Sequence, residues 1–313
     1  MADNNKTAAR ETILEVRDLS VWFRMYDRGL EQKELRVIHN LSVPVREGEI
    51  VAVAGSSGSG KSLLAHAIMG ILPANAQVSG ELRYRGQPIT ESLLRKIRGR
   101  DLALVPQSLT YLDPLMKTGK QINGLYGNEE KRKGIFQRYE LAESAAEQYP
   151  FQLSGGMTRR ILISTAVMGD AKLIIADEPT PGMTLATAKR VMGHFRELAD
   201  TGAGILLITH DIDLAFECAD RIAVFYAGST VEIADAADFR KGIPYLRHPY
   251  SKALWQAVPQ NGFVPIPGSQ PYADNLPRGC CFAPRCPQKT IECDSPVPMR
   301  EVRGGEVRCI HAD

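Results

Sequence analysis

No apolar run in this chain approaches the ~18 residues that a helix needs to cross a bilayer. The opening residues, Met1-Ala-Asp-Asn-Asn-Lys6, lack the apolar stretch of a signal peptide. Charge of one sign is lacking too: 38 Lys and Arg stand against 36 Asp and Glu, a formal net charge of +2. So balanced a chain has no general bias toward a polyanion, and the basic runs Arg95–Arg100 and Lys131–Lys133 read as solvated faces. Before residue 280 the only cysteine is Cys218, which reads as a buried apolar residue. These absences predict a cytoplasmic chain with no nucleic-acid partner. At 313 residues, 44% hydrophobic and 24% charged, it has the make-up of an ordinary globular protein with two domains, or one domain and an appendage.

The most informative stretch is Ile50 to Ser62. Ile50–Ala54 is a short, small-residue apolar run, read as a buried strand. Gly55, Ser56, Ser57, Gly58, Ser59 and Gly60 form a glycine-rich turn, and Lys61-Ser62 open an apolar helical segment running to Leu72. This is a full G-x-x-x-x-G-K-[ST] match in a strand–loop–helix setting, which predicts nucleotide binding. Glycines let successive amides converge on phosphate oxygens, and the helix N-terminus favours negative charge. Lys61 would neutralise the β- and γ-phosphates and the Ser62 hydroxyl would ligate Mg²⁺.

Around this loop, Ile13–Phe23 reads as a half-exposed strand, Asp27–Gly29 as a turn, and Leu35–His39 and Leu41–Val45 as two short strands. Phe23 or Trp22 would offer adenine an aromatic face, or else pack in the core. Gly80–Pro88 reads as a hairpin, and Leu102–Val105 as a strand ending before Pro106-Gln107. Residues 111–149 are polar and helix-prone, a helical excursion from an α/β core. Leu153-Ser-Gly-Gly-Met157 precedes an amphipathic helix reaching about Met168. The strand Leu173–Asp177 ends in adjacent carboxylates: Asp177 would meet Mg²⁺, and Glu178 would orient and deprotonate an attacking water. Ile205–Thr209 is one more apolar strand, presenting His210 at its carboxyl end, where open α/β sheets bind ligands.

Together these residues make the chain resemble the ATP-binding cassette of an ABC transporter over residues 12 to 238. The resemblance implies a P-loop NTPase of α/β class: a RecA-like core with an antiparallel β-subdomain and a helical subdomain at about 110–168. It assigns Gln107 to the Q-loop beside Mg²⁺, His210 to the switch position, and Ser154, Gly155 and Gly156 to a signature that contacts ATP held by a second cassette. Two departures are visible. Thr158-Arg159-Arg160 stands where the family usually has Arg-Gln-Arg, and Thr184 stands at the usual Asp of the D-loop. A hydroxyl cannot make the charge-assisted bonds of a carboxylate, so the two ATP sites of a pair are expected to differ. A DNA-repair ATPase would need a long coiled-coil insertion and a translation factor usually two cassettes, so neither soluble alternative fits. A weakly hydrolysing regulatory cassette is opposed by Glu178 and His210.

The tail narrows the resemblance. Arg247-His-Pro-Tyr-Ser-Lys-Ala-Leu254 and Gly279-Cys-Cys-Phe-Ala-Pro-Arg-Cys-Pro287 resemble the ends of oligopeptide, dipeptide and nickel uptake ATPases, as do Leu112–Met116 and Gln121-Ile122. This implies an importer with a paralogous ATPase partner, two membrane permease subunits and an extracytoplasmic binding protein, the chain lying peripherally on the cytoplasmic membrane face. Residues 239–313 then form a Cys-rich C-terminal extension. Four thiols, Cys280, Cys286, Cys293 and Cys309, in a Pro- and Gly-rich segment suit either Zn²⁺ or an iron–sulfur cluster. The resemblance favours a structural [4Fe–4S] cluster, with Cys281 as a spare thiol.

Overall fold

The computed structural model describes residues 10–26, 31–56, 58–124 and 127–313, so Ser57 and the turn expected at Asp27–Gly29 lie outside the described residues. In chain order the first elements are β1 (Thr12–Tyr26), β2 (Gln32–Arg46), β3 (Ile50–Gly55), α1 (Lys61–Met69), β4 (Ala76–Tyr84) and β5 (Gln87–Pro88). Next come α2 (Glu91–Ile97), β6 (Leu102–Val105), α3 (Thr118–Asn123), α4 (Glu129–Arg138) and α5 (Gly155–Val167). After these follow β7 (Leu173–Asp177), α6 (Leu185–Asp200), β8 (Gly204–Thr209), α7 (Ile212–Cys218), β9 (Arg221–Tyr226) and β10 (Ser229–Asp235). The chain ends with α8 (Ala236–Lys241), α9 (Pro249–Gln256), β11 (Arg300–Val302) and β12 (Gly305–Val307).

The chain divides into two compact units: Met1–Leu14, Val45–Ile50 and Thr90–Leu207 form one, and Glu15–Pro44, Val51–Ile89 and Ile208–Asp313 the other. In the first unit the strand order is β8-β7-β6, with β6 and β7 parallel from Leu102↔Leu173 to Val105↔Ala176. β7 and β8 are buried along their whole length. Near-continuous apolar runs such as Leu-Ile-Ile-Ala are what strands covered on both faces require. α6 buries Ala188, Val191, Met192, Phe195 and Ala199, one stripe at helical spacing. The helical excursion is built from α3, α4 and short 3₁₀ turns, with Asn128 capping α4.

In the second unit the order is β11-β12-β10-β9-β3, in which β3 runs parallel to β9 and the other pairs are antiparallel. β2, β1, β4 and β5 make a separate four-stranded sheet in that order. The hairpin expected at Gly80–Pro88 is present: β4 and β5 pair antiparallel across Arg85-Gly86, both with positive φ (47° and 75°). Two expectations need correction. Leu35–His39 and Leu41–Val45 belong to the single strand β2, which takes its turn at Asn40 (φ 51°) without ending. The first helix stops at Met69 rather than Leu72, because Gly70 (φ 62°) turns left-handed and its amide returns to the carbonyls of the last turn.

Candidate active site

The nucleotide loop grows from packing at its base. Gly55 pairs with Phe225 of β9, and a Cβ there would come 2.4 Å from the Phe225 carbonyl oxygen, so only glycine fits. Gly58 (φ 77°) and Gly60 (φ 90°) supply the left-handed turns that lead into α1. Lys61 is buried, and its ammonium donates to the carbonyls of Gly55 and Ser56, each at 2.9 Å. Ser59 is 1% exposed, and its hydroxyl finds no partner among the described residues. Ser62 is half-buried on the first turn of α1. These groups form a cradle of amides, one cation and two hydroxyls that suits a phosphate chain with its metal. On β1, the Trp22 ring is covered by the Arg36 guanidinium, 5.6 Å from its centroid, while Phe23 is half-buried. His210 is exposed just beyond β8, where Asp211 caps α7 through the amide of Leu214.

In the first unit, β7 delivers Asp177 and Glu178 into a buried setting, 2% and 6% exposed. Glu178 sits at φ 48°, a left-handed conformation that costs a non-glycine residue about 1–3 kcal/mol and gathers at functional sites. Beside this pair lies a cation not assigned a role from the sequence. Arg159 of α5, 8% exposed, donates through Nη1 to the carbonyls of Pro106 (3.2 Å) and Gln107 (2.6 Å). Burial lowers the Arg159 pKa, and the charges of Asp177 and Glu178 oppose that shift. Arg159 thus joins α5 to the backbone just beyond β6, and the negative charges of Asp177 and Glu178 favour its cation there. Its signal in the sequence was position: it shares the buried stripe of α5 with Leu162 and Ala166.

Gln107 itself is exposed beyond the end of β6. Ser154 caps α5 by accepting from the Met157 amide at 3.3 Å, and Ser154 and Gly155 are open to solvent, with Gly156 half-buried. The departures have local roles. The Thr158 hydroxyl donates to the Ser154 carbonyl at 3.0 Å, and Arg160 reaches the carbonyls of Tyr139 and Glu140 at 2.6 and 3.0 Å. Thr184 caps α6, accepting from the Thr187 amide at 3.3 Å.

In the tail, Cys280, Cys286, Cys293 and Cys309 line one small cavity together with His248 and His311. The Cys293 sulfur lies 3.5 Å from His311 Nε2. Burial pushes the Cys280 thiol up to about 11 and raises Cys286 and Cys309 as well. The side chains are of metal-ligating kinds, but burial favours their neutral thiols, and among the described residues no three His, Cys, Asp or Glu side chains are grouped as a metal site. All six cysteines are free. Cys281 is not idle: its sulfur lies 3.4 Å from His39 Nε2. Cys218 is half-buried at the end of α7 rather than fully buried.

The strand–loop–helix cradle, the paired carboxylates and the capped S-G-G helix define an ATPase cassette of the ABC type. The family description "ABC transporter" matches residues 38–181, and "Oligopeptide/dipeptide transporter, C-terminal region" matches residues 231–293. The chain is 33% identical to the oligopeptide transport ATP-binding protein OppD of Escherichia coli over 95% of its own length and 92% of that protein. It is 34% identical to AppD of Bacillus subtilis over 95% of this chain and 96% of that one. Among solved structures, the bacterial ABC transporter cassette MJ0796 covers 71% of this chain and 98% of its own, with a TM-score of 0.61 and 26% identity; it was captured as a dimer. A second structure of that cassette holds ADP and Pi after hydrolysis. The chain belongs to the oligopeptide/dipeptide transporter family of ABC importer ATPases. Among the described residues no helix is long and apolar enough to cross a membrane.

Proposed function

We propose that this ATPase powers peptide import. The observation that carries the reading is full-length similarity to peptide-import ATP-binding proteins, continued through the C-terminal region match at 231–293. Residues 12–238 serve as the cassette and 239–313 as the C-terminal extension. Gly55–Ser62, Ser57 included, hold the phosphates of ATP, and Phe23 stacks on adenine. Ser62, Asp177 and Gln107 hold Mg²⁺. Glu178 activates the attacking water, and His210 orients the γ-phosphate. Ser154, Gly155 and Gly156 close over ATP bound to a paralogous cassette. The exposure of Ser154 and Gly155 supports this role.

The chain works at the cytoplasmic membrane face with two permease subunits fed by an extracytoplasmic binding protein. Leu115, Phe151 and Tyr111, 85%, 72% and 51% exposed in the helical part, give those permeases an apolar landing surface. Thr184 makes the partner-based ATP site the weaker of the two. For the tail we retain a metal centre on Cys280, Cys286, Cys293 and Cys309, with [4Fe–4S] ahead of Zn²⁺. Four thiols lining one cavity support it. Anaerobically purified chain carrying equal iron and sulfide is the expected result; stoichiometric zinc would select the other metal.

The hydrolytic assignment is tested with Glu178→Gln in the assembled transporter. Size and hydrogen bonding remain but basicity goes, so hydrolysis falls by about 10²-fold or more while ATP still binds. Hydrolysis at the parent rate would refute the role of Glu178.

A further inference from the structure

We propose that Tyr250 and Gln270, from the C-terminal part of the chain, are positioning residues of the nucleotide loop. They fix Ser56 so that its carbonyl, with that of Gly55, holds Lys61 ready for the phosphates. The inference rests on the reading of Gly55–Ser62 as the ATP loop.

The contacts form a continuous path. The Ser56 hydroxyl donates to Gln270 Oε1. Tyr250 is 2% exposed; burial raises its phenol pKa, and the Ser56 hydroxyl and backbone oppose that shift. The other end of Ser56, its carbonyl, accepts from Lys61 at 2.9 Å. Tyr250 and Gln270 are themselves fastened. The Tyr250 ring packs 4.4 Å from that of Tyr226, and Phe282 lies 5.3 Å from each. Arg285 pins the strap that carries Gln270: Nε donates to the Pro267 carbonyl at 2.7 Å, Nη2 to Ile266 at 2.9 Å, and Nη1 to the Tyr226 hydroxyl at 3.2 Å. Tyr226 directly follows Phe225, the residue against which Gly55 is packed.

A tail that merely covered the sheet would need only apolar contacts with it. Here the Gln270 side chain accepts from the hydroxyl of the first turn residue of the loop, and the Tyr250 phenol is electrostatically coupled to the same residue. The physical gain is preorganisation. Gly58 and Gly60 give the loop its left-handed turns, and their freedom must be surrendered when amides gather around phosphate. Ordering a backbone residue costs conformational entropy. Hydrogen bonds that fix Ser56 beforehand remove part of that cost from binding. They also keep the lysine ammonium directed toward the mouth of the loop instead of outward into water.

The test uses the full-length chain and equilibrium binding of Mg²⁺–ATP, read by displacement of a fluorescent ATP analogue. Tyr250→Phe keeps the ring and removes the phenol; Gln270→Ala removes the strap's acceptor. Each should weaken ATP binding about three- to tenfold, as loss of one hydrogen bond does, with an unchanged melting temperature. Ser56→Ala and the double variant Ser56→Ala/Gln270→Ala complete a cycle. The double should bind no more weakly than the worse single, because both remove the same contact. Parent-like affinity in Tyr250→Phe and Gln270→Ala would overturn the proposal, and so would losses that multiply in the double. Lys61→Ala separates the two levels of inference. If it binds ATP as tightly as the parent, the reading of the loop fails first and the positioning role falls with it.

Discussion

The nucleotide loop takes its shape from neighbours in sequence, whereas the tail takes its shape from residues far away along the chain. In the loop, Lys61 bonds carbonyls five and six positions earlier, and glycine turns join a strand to the helix that follows at once. In the tail, Arg247 is buried and reaches Val302 and Arg303 carbonyls, 55 and 56 positions on, at 2.6 Å each. The same guanidinium pairs with Glu232 at 3.4 Å and Asp238 at 2.9 Å, and Glu232 also accepts from the amides of Arg247 and His248. Arg308 bonds the carbonyls of Asn40, Thr230 and Val297. Arginine forks thus satisfy backbone groups that a loop-rich segment leaves without a ladder. Long-range contacts adjust a local motif that is already shaped by its neighbours; in the tail they make the shape itself.

The largest expected effect breaks the tail. Arg247→Ala leaves Glu232, 0% exposed, without its cation, and should cost about 3–5 kcal/mol in urea unfolding. A loss below about 1 kcal/mol would show that the tail does not depend on this ion pair. Lys61→Ala is the counterpart in the loop. ATP affinity should fall about tenfold or more through loss of charge-assisted bonds, with the unfolding midpoint hardly moved. If stability fell as far as with Arg247→Ala, the contrast between the regions would collapse.

A smaller effect belongs to Thr184, whose place in the D-loop invites a functional reading although it caps α6. Thr184→Ala should cost about 1 kcal/mol of stability, and Thr184→Asp, also a good cap, should cost nearly nothing. Asp at 184 should in addition raise hydrolysis at the partner-based site, measured with the Glu178→Gln background silencing this chain's own. Equal rates with Thr and Asp would remove the case for unequal sites.

The smallest effect lies outside both regions. Burial pushes the His194 imidazole down to about 4, and its Nδ1 shares a hydrogen bond with the Tyr139 hydroxyl at 2.6 Å. An unfolded histidine titrates near 6.5, so the unfolded chain takes up the proton first. The stability from neutral His194 is complete above that pH and is lost as pH falls toward about 4. His194→Gln should flatten the urea midpoint across that window; an unchanged slope would place the acid sensitivity elsewhere.

The cassette was legible because its chemistry is written in short spans. A phosphate loop, a strand ending in Asp177-Glu178 and a capped Ser154-Gly155-Gly156 each need only one strand or one helix to be in place. The one misread strand shows the limit of that logic. Leu35–His39 and Leu41–Val45 look separate in sequence because Asn40 interrupts their pattern, yet Asn40 tolerates the left-handed region and the strand carries on. The cysteine cluster was legible in the sequence, but spacing alone could not say that four of them would line one cavity with His248 and His311.

The sequence by itself determined the glycine-rich strand–loop–helix, the buried strands as separate elements, the adjacent carboxylates and the transporter family, because period, glycine placement and motif spacing act within about a dozen residues. Only the tertiary structure decided that Arg159 holds the Gln107 backbone under the influence of Asp177 and Glu178, that Arg247 is the buried pin of the tail, and that Gln270 rests on Ser56. Those contacts join residues separated by tens to hundreds of positions. No local propensity encodes them; they exist because buried polar groups must find partners wherever the folded chain brings one within reach.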